Sequence, residues 1–107
     1  DDNIIGAIGI RVQSVTSRKG DFGYWVRKDL WGQGFATEAS KSIVKFGFDK
    51  LGLNRIWATA HPENKASLRV LEKLGMQREG VLRSDMFVRG EYRDSVIMSI
   101  LKSEFNV

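Results

Sequence analysis

The spacing of apolar and polar residues shifts along the chain between a period of two and a period near 3.6, and the shifts predict the elements. From Ile4 to Val12 a mostly apolar run with small glycine interruptions predicts a strand. Thr16 to Asp21 is polar and reads as a turn, and the aromatic and β-branched run Gly23 to Val26 reads as a second strand, so the two form a hairpin. A polar loop from Arg27 to Gly34 follows. Ala36, Ala39, Ile43, Phe46 and Gly47 then recur at helical spacing, with Glu38, Lys41, Ser42, Lys45 and Asp49 opposite, as in an amphipathic helix lying on a sheet. Gly52 ends it, and Arg55 to Ala60 is a short, mostly apolar strand suited to the middle of a sheet. Asn64 is placed to cap a second helix that runs to Leu74, with Leu68, Leu71 and Leu74 inward and Gly75 as its stop. Gly80 to Val88 and Ser95 to Leu101 complete the chain as two strands joined through Arg89, Gly90 and Glu91. The order β-β-α-β-α-β-β predicts an α/β fold: a mixed, mostly antiparallel sheet with two helices, in one domain spanning residues 1–107.

Composition narrows the chemistry. With 107 residues, 42% of them hydrophobic and 28% charged, the chain has the make-up of a single folded globular domain. No apolar run approaches the roughly 20 residues needed to cross a bilayer and no signal-peptide pattern is present, so a cytoplasmic protein without membrane contact is expected. Cysteine is absent and His61 is the only histidine, which leaves no basis for a disulfide framework or a metal site. The net charge of +4 suits a protein that meets anions. Its basic residues are scattered, however, and no nucleic-acid-binding motif is present, so direct nucleic-acid binding is not expected.

The most informative stretch is Trp31-Gly32-Gln33-Gly34-Phe35-Ala36-Thr37, between a strand and a helix. Two glycines at a helix start let backbone N–H groups converge where the helix dipole already favours negative charge, the arrangement that grips diphosphates. Taken alone, the same glycines serve equally well for a tight strand-to-helix turn. The loop lacks the Gly-Lys-Ser/Thr of a Walker A motif and the third glycine of a dinucleotide fingerprint.

Taken together, GYWVRKDLWGQGFATEA, the helix after it, HPENKASLRVLEKLGMQREG and the strand after RGEYRD resemble the GNAT acetyltransferases, and within them the RimJ/RimL-like type that acetylates ribosomal-protein N-termini. The resemblance runs from about Ile4 to Leu101. It implies acetyl-CoA as cosubstrate, its pyrophosphate on the backbone of Trp31, Gly32, Gln33, Gly34, Phe35, Ala36 and Thr37, and its pantetheine arm along Val26 and Arg27. It also implies that Asn64 contacts the pantetheine region and that Ser67 protonates the departing thiolate, since Leu71 stands where many relatives carry a tyrosine acid. The family glutamate that activates the amine aligns with Met86, and Asp85 points to the opposite sheet face if the strand is regular. His61, just after the central strand, is then a water-mediated base, with Glu38, Glu91 and Asp94 as carboxylate alternatives.

A complete domain of this kind begins with a strand, two helices and another strand, so the chain is expected to lack that N-terminal part. The strand at Ile4 is then an open edge, and a homodimer is expected. The implied reaction is acetyl transfer by direct attack of a primary amine, with a protein N-terminus, polyamine or aminoglycoside as acceptor. The alternative is a non-catalytic acetyl-CoA-binding or dimerisation module.

Overall fold

The structure, a computed structural model, describes residues 6–26 and 35–105. Its elements are β1 (Gly6–Ser14), β2 (Lys19–Val26), α1 (Phe35–Asp49), β3 (Arg55–Ala60), α2 (Lys65–Lys73), β4 (Gln77–Val88) and β5 (Glu91–Leu101), with a single 3-10 turn at Lys102–Glu104. The strands form one five-stranded sheet in the order β1-β2-β3-β5-β4. All neighbours are antiparallel except β2 and β3. The predicted element order and mixed sheet are therefore the observed ones.

One face of the sheet carries the core. Phe22, Ile56, Ala58, Ala60, Val96, Met98 and Ile100 meet Val44 and Phe48 of α1, and Leu71 and Leu74 at the end of α2. The inward row of α1 is Thr37, Ser40, Val44, Gly47 and Phe48; of the predicted row Gly47 is buried and Ile43 packs against the core, whereas Phe46 is 48% exposed. Small polar residues fill the N-terminal half of that row, so counting only apolar side chains centred the face wrongly. Gly47 lets α1 lie close to the sheet: a Cβ there would stand 2.6 Å from Ile10 Cδ1 and 2.9 Å from Ile56 Cδ1.

The opposite face is polar and cross-linked. The Arg55 guanidinium binds Glu79 through two bonds of 2.6 and 2.8 Å, reaching across β5, and Ser99 of that middle strand donates to Glu79 beneath the bridge. Similarly, Trp57 Nε1 donates to Gln13 Oε1 at 2.7 Å, spanning β2. Polar residues explain why three strands begin before their predicted limits: Lys19 and Asp21, Gln77–Glu79 and Glu91–Asp94 are strand residues with polar side chains.

The β4–β5 hairpin turns through Arg89 and Gly90, both with positive φ (51° and 82°). Midway along β4 the register slips: Leu82 pairs with Ser95 and Met86 with Arg93, leaving three residues opposite Asp94 alone. Ser84 sits in this bulge at φ 49°, and its N–H donates to Asp94 Oδ1 at 2.9 Å. The strand is not regular at Asp85, so the alternation used to place that side chain does not hold there.

Candidate functional site

The parallel β2–β3 ladder contains only the pairs Lys19/Arg55, Gly20/Ile56 and Asp21/Trp57. Beyond them both strands continue, β2 to Val26 along β1 and β3 to Ala60 along β5, but no further β2–β3 pair forms. The sheet therefore parts into a V between its second and third strands. In an uninterrupted sheet such main-chain edges would be satisfied by the neighbouring strand; here they border an opening.

That opening is a cleft of about 220 Å³ lined by Asp21, Phe22, Gly23, Trp57, Ala58, Thr59, Ser67 and Leu71. Ser67 reaches it because α2 begins two residues earlier, at Lys65, directly after the turn that leaves β3. Asn64 caps the helix, its Oδ1 accepting from the Ser67 N–H at 3.1 Å. Its carbonyl oxygen is thus committed to the cap, and any ligand contact falls to its NH2 group.

Asp21 is the carboxylate that brings charge to the cleft. The sequence pattern assigned it to a turn, but it ends the parallel ladder opposite Trp57. Arg11 holds it with two bonds, Nε to Oδ1 at 3.0 Å and Nη2 to Oδ2 at 2.9 Å. The same hydrogen-bonded contact raises the Arg11 guanidinium above its ordinary value. Alternation along a strand starting at Lys19, rather than at Gly23, was the signal that would have placed Asp21.

His61 does not line this cleft. Its Nδ1 faces the Glu63 N–H at 3.1 Å and its Nε2 faces Arg93 Nη1 at 2.9 Å. Both neighbours can only donate, and a neutral imidazole has one lone-pair nitrogen, so one contact at a time is a hydrogen bond. Arg93 also pairs with Glu91 at 3.0 Å. The other carboxylates weighed from sequence have structural occupations as well: Asp94 holds the bulge, and Glu38 is solvated at 4.0 Å from Lys41.

Of the residues expected to hold a diphosphate, Phe35, Ala36 and Thr37 form the first turn of α1, where backbone N–H groups lack intrahelical partners. Arg27, Trp31, Gly32, Gln33 and Gly34 lie outside the described residues. Val26 ends β2 and pairs with Gly6. Among the described residues there is no cluster of His, Asp and Glu suited to a metal ion, and no helix is long and apolar enough to cross a membrane.

Comparison with known proteins supplies the family. The acetyltransferase (GNAT) domain family matches residues 1–77. The chain is 40% identical over 99 residues to the uncharacterized N-acetyltransferase YoaA of Bacillus subtilis, covering 92% of this chain and 56% of that protein. It is 30% identical over 88 residues to the spermidine N(1)-acetyltransferase of Escherichia coli K12, covering 82% of this chain and 47% of that protein. The crystal structure of a probable acetyltransferase superposes with a TM-score of 0.91 at 33% identity, covering 98% of this chain and 58% of the other. The chain thus spans somewhat more than half the length of its first relatives. A sheet parted between a parallel pair of strands, a helix opening beside the part, and a match over most of the sequence lead to one conclusion: the chain belongs to the GNAT acetyltransferases.

Proposed function

We propose that the chain binds acetyl-CoA in the β2–β3 cleft and passes its acetyl group to a primary amine by direct attack. The observation that carries this reading is the ladder that stops at Asp21/Trp57, with a serine hydroxyl bordering the opening. Open strand edges suit an extended ligand bearing amides, which would complete the sheet as a short pseudo-strand on β2 up to Val26 and on toward Arg27. The loop of Trp31, Gly32, Gln33 and Gly34 together with the α1 start at Phe35, Ala36 and Thr37 would take the pyrophosphate on main-chain N–H groups, aided by the helix dipole. Acetyl-CoA supplies the acyl group already activated as a thioester.

The protein's own part is positioning and proton movement. Ser67 is the acid for the sulfur, and Asn64 steadies the pantetheine through its NH2 group. Two bases compete for the amine proton. His61 works through water and must first give up Arg93 or Glu63, whereas Asp21 already borders the cleft and must give up Arg11. The acceptor is a protein N-terminus, as in the RimJ/RimL-like branch, or a small amine such as the spermidine named for the Escherichia coli relative. The protein is cytoplasmic and homodimeric.

Calorimetric titration with acetyl-CoA, dephospho-CoA and ATP tests the site, and thiol release with a panel of amines tests turnover. Saturable binding selective for acetyl-CoA is expected, with thiol release falling about a hundredfold in Ser67→Ala. A folded protein that ignores acetyl-CoA would overturn the reading, and binding without turnover on any amine would make the chain a non-catalytic acetyl-CoA module.

A further inference from the structure

On the face of the sheet turned away from the helices, four side chains meet where the β2–β3 ladder ends. Phe22 and Ile56 point into the core, so their neighbours Asp21 and Trp57 stand on the other face, and the two are partners in the last ladder pair. Arg11 is the register partner of Asp21 on β1 and grips its carboxylate with two bonds. Gln13 lies at the register shift between Val12 and Ser14, and from there it reaches over β2 to accept from the Trp57 indole N–H. A carboxylate beside an aromatic ring is a receptor for positive charge, and both Asp21 and Trp57 border the cleft.

The receptor is filled by the protein's own cation, and loosely. The Arg11 side chain is 77% exposed against 24% for Asp21, and Asp21 is its only ion-pair partner among the described residues. An exposed bridge of this kind contributes little, so a cation brought by a ligand can take its place. Arg11 is therefore built as a tethered competitor. Swung into solvent, it leaves a carboxylate at the apex of the cleft with Trp57 beside it.

We propose that Asp21 receives a second positive charge of the acceptor amine, and that Arg11 competes with the acceptor for this place. The inference rests on the acetyl-transfer reading and narrows its acceptor to amines that carry a second cationic group. It also separates the two bases. A carboxylate occupied by one ammonium group is a binding group, which leaves the proton of the attacking amine to the water path through His61.

The test is acetylation of linear diamines from diaminopropane to diaminooctane, each against the alkylamine of equal chain length, with far-UV circular dichroism to verify that every variant folds. The best diamine is expected to exceed its monoamine about tenfold in kcat/KM, the order of one charge-assisted hydrogen bond, and Asp21→Asn should cut that advantage to within about twofold. Arg11→Gln should lower KM for the diamine about twofold to fivefold, the strength of an exposed bridge, with the change in KM rather than in kcat. If Asp21→Asn does not fold, Arg11→Gln and Arg11→Met carry the comparison. Three results overturn the proposal: a wild type that treats diamines and monoamines alike, an Asp21→Asn variant that keeps the preference or loses kcat equally on every amine, as loss of a base would cause, or a diamine KM unchanged by removing Arg11. Calorimetry with the same diamines in the absence of acetyl-CoA keeps the two readings apart. A protein that binds diamines through Asp21 but ignores acetyl-CoA sinks the transfer reading alone, and one that binds acetyl-CoA without preferring diamines sinks the cation site alone.

Discussion

Replacing Glu79 by glutamine keeps the size of the side chain and removes the charge on which its cross-strand bridge depends. Hydrogen bonds from Arg55, then from Ser99, hold the Glu79 carboxyl down from 4.5 to about 2. At about 1.36 kcal/mol for each pKa unit, a full conversion of that depression would amount to about 3.4 kcal/mol. Solvent reduces it, since the Glu79 side chain is 40% exposed and that of Arg55 28%, and a screened bridge of this kind contributes about 1 to 1.5 kcal/mol. For a domain of this size that corresponds to a melting point about 5 °C lower in Glu79→Gln at neutral pH. The folded-state value lies below the unfolded one, so the stabilisation is complete above the unfolded carboxylate range, about pH 4.5, and is lost as pH falls toward 2. Urea denaturation of both proteins between pH 7 and pH 2 should show a gap that is constant down to about pH 5 and then closes. A gap that persists unchanged at pH 2, or no gap at pH 7, would refute the reasoning.

Three further outcomes rest on local geometry. Gly20→Ala should destabilise by more than about 2 kcal/mol, because the new Cβ stands 2.7 Å from the Arg11 carbonyl oxygen, whereas Gly47→Ala, which meets the side-chain ends of Ile10, Ile56 and Leu53, should cost less in the same denaturation assay. Asn64→Ala should lose about 1 kcal/mol with its cap, read as a lower melting point in thermal denaturation. Arg89→Asn should raise stability by about 0.5 kcal/mol, since asparagine accepts the φ of 51° more readily, and Gly90→Ala at φ 82° should lower it by about 1 kcal/mol.

The sequence was most legible where one face of an element is apolar and least so where small or polar residues take part in packing. Arg55–Ala60 was placed correctly because Ile56, Ala58 and Ala60 alternate cleanly, and α2 because Asn64 and Gly75 bracket its leucines. Lys19–Asp21 was lost to a turn because those residues are polar, although Gly20 is buried and Asp21 is packed opposite Trp57. Asp21, polar and next to a glycine, therefore reads as a turn residue although it borders the cleft. Buried Thr37 and Ser40 displaced the predicted face of α1 in the same way. Two features have no local signature at all. A bulge at Ser84 depends on Asp94, ten residues away, and the early end of the β2–β3 ladder depends on how two strands separated by a helix come into register.

That short ladder also sets how the molecule can come apart. The sheet is two antiparallel rafts, β1–β2 and β3–β5–β4, joined by only three ladder pairs, by the Trp57–Gln13 bond and the Arg18 carbonyl that accepts from Asn54 and Arg55, and by α1, whose Gly47 turn lies against Ile10 of one raft and Ile56 of the other. This seam carries fewer ladder pairs than the β1–β2 or β4–β5 ladder, which makes it a place where the native state is expected to open short of global unfolding. The ligand proposed for the gap would have to leave before the rafts could part. Its free concentration would then enter directly into the protein's lifetime against heat and proteases, adding about 2.7 kcal/mol to the opening at a hundred times the dissociation constant.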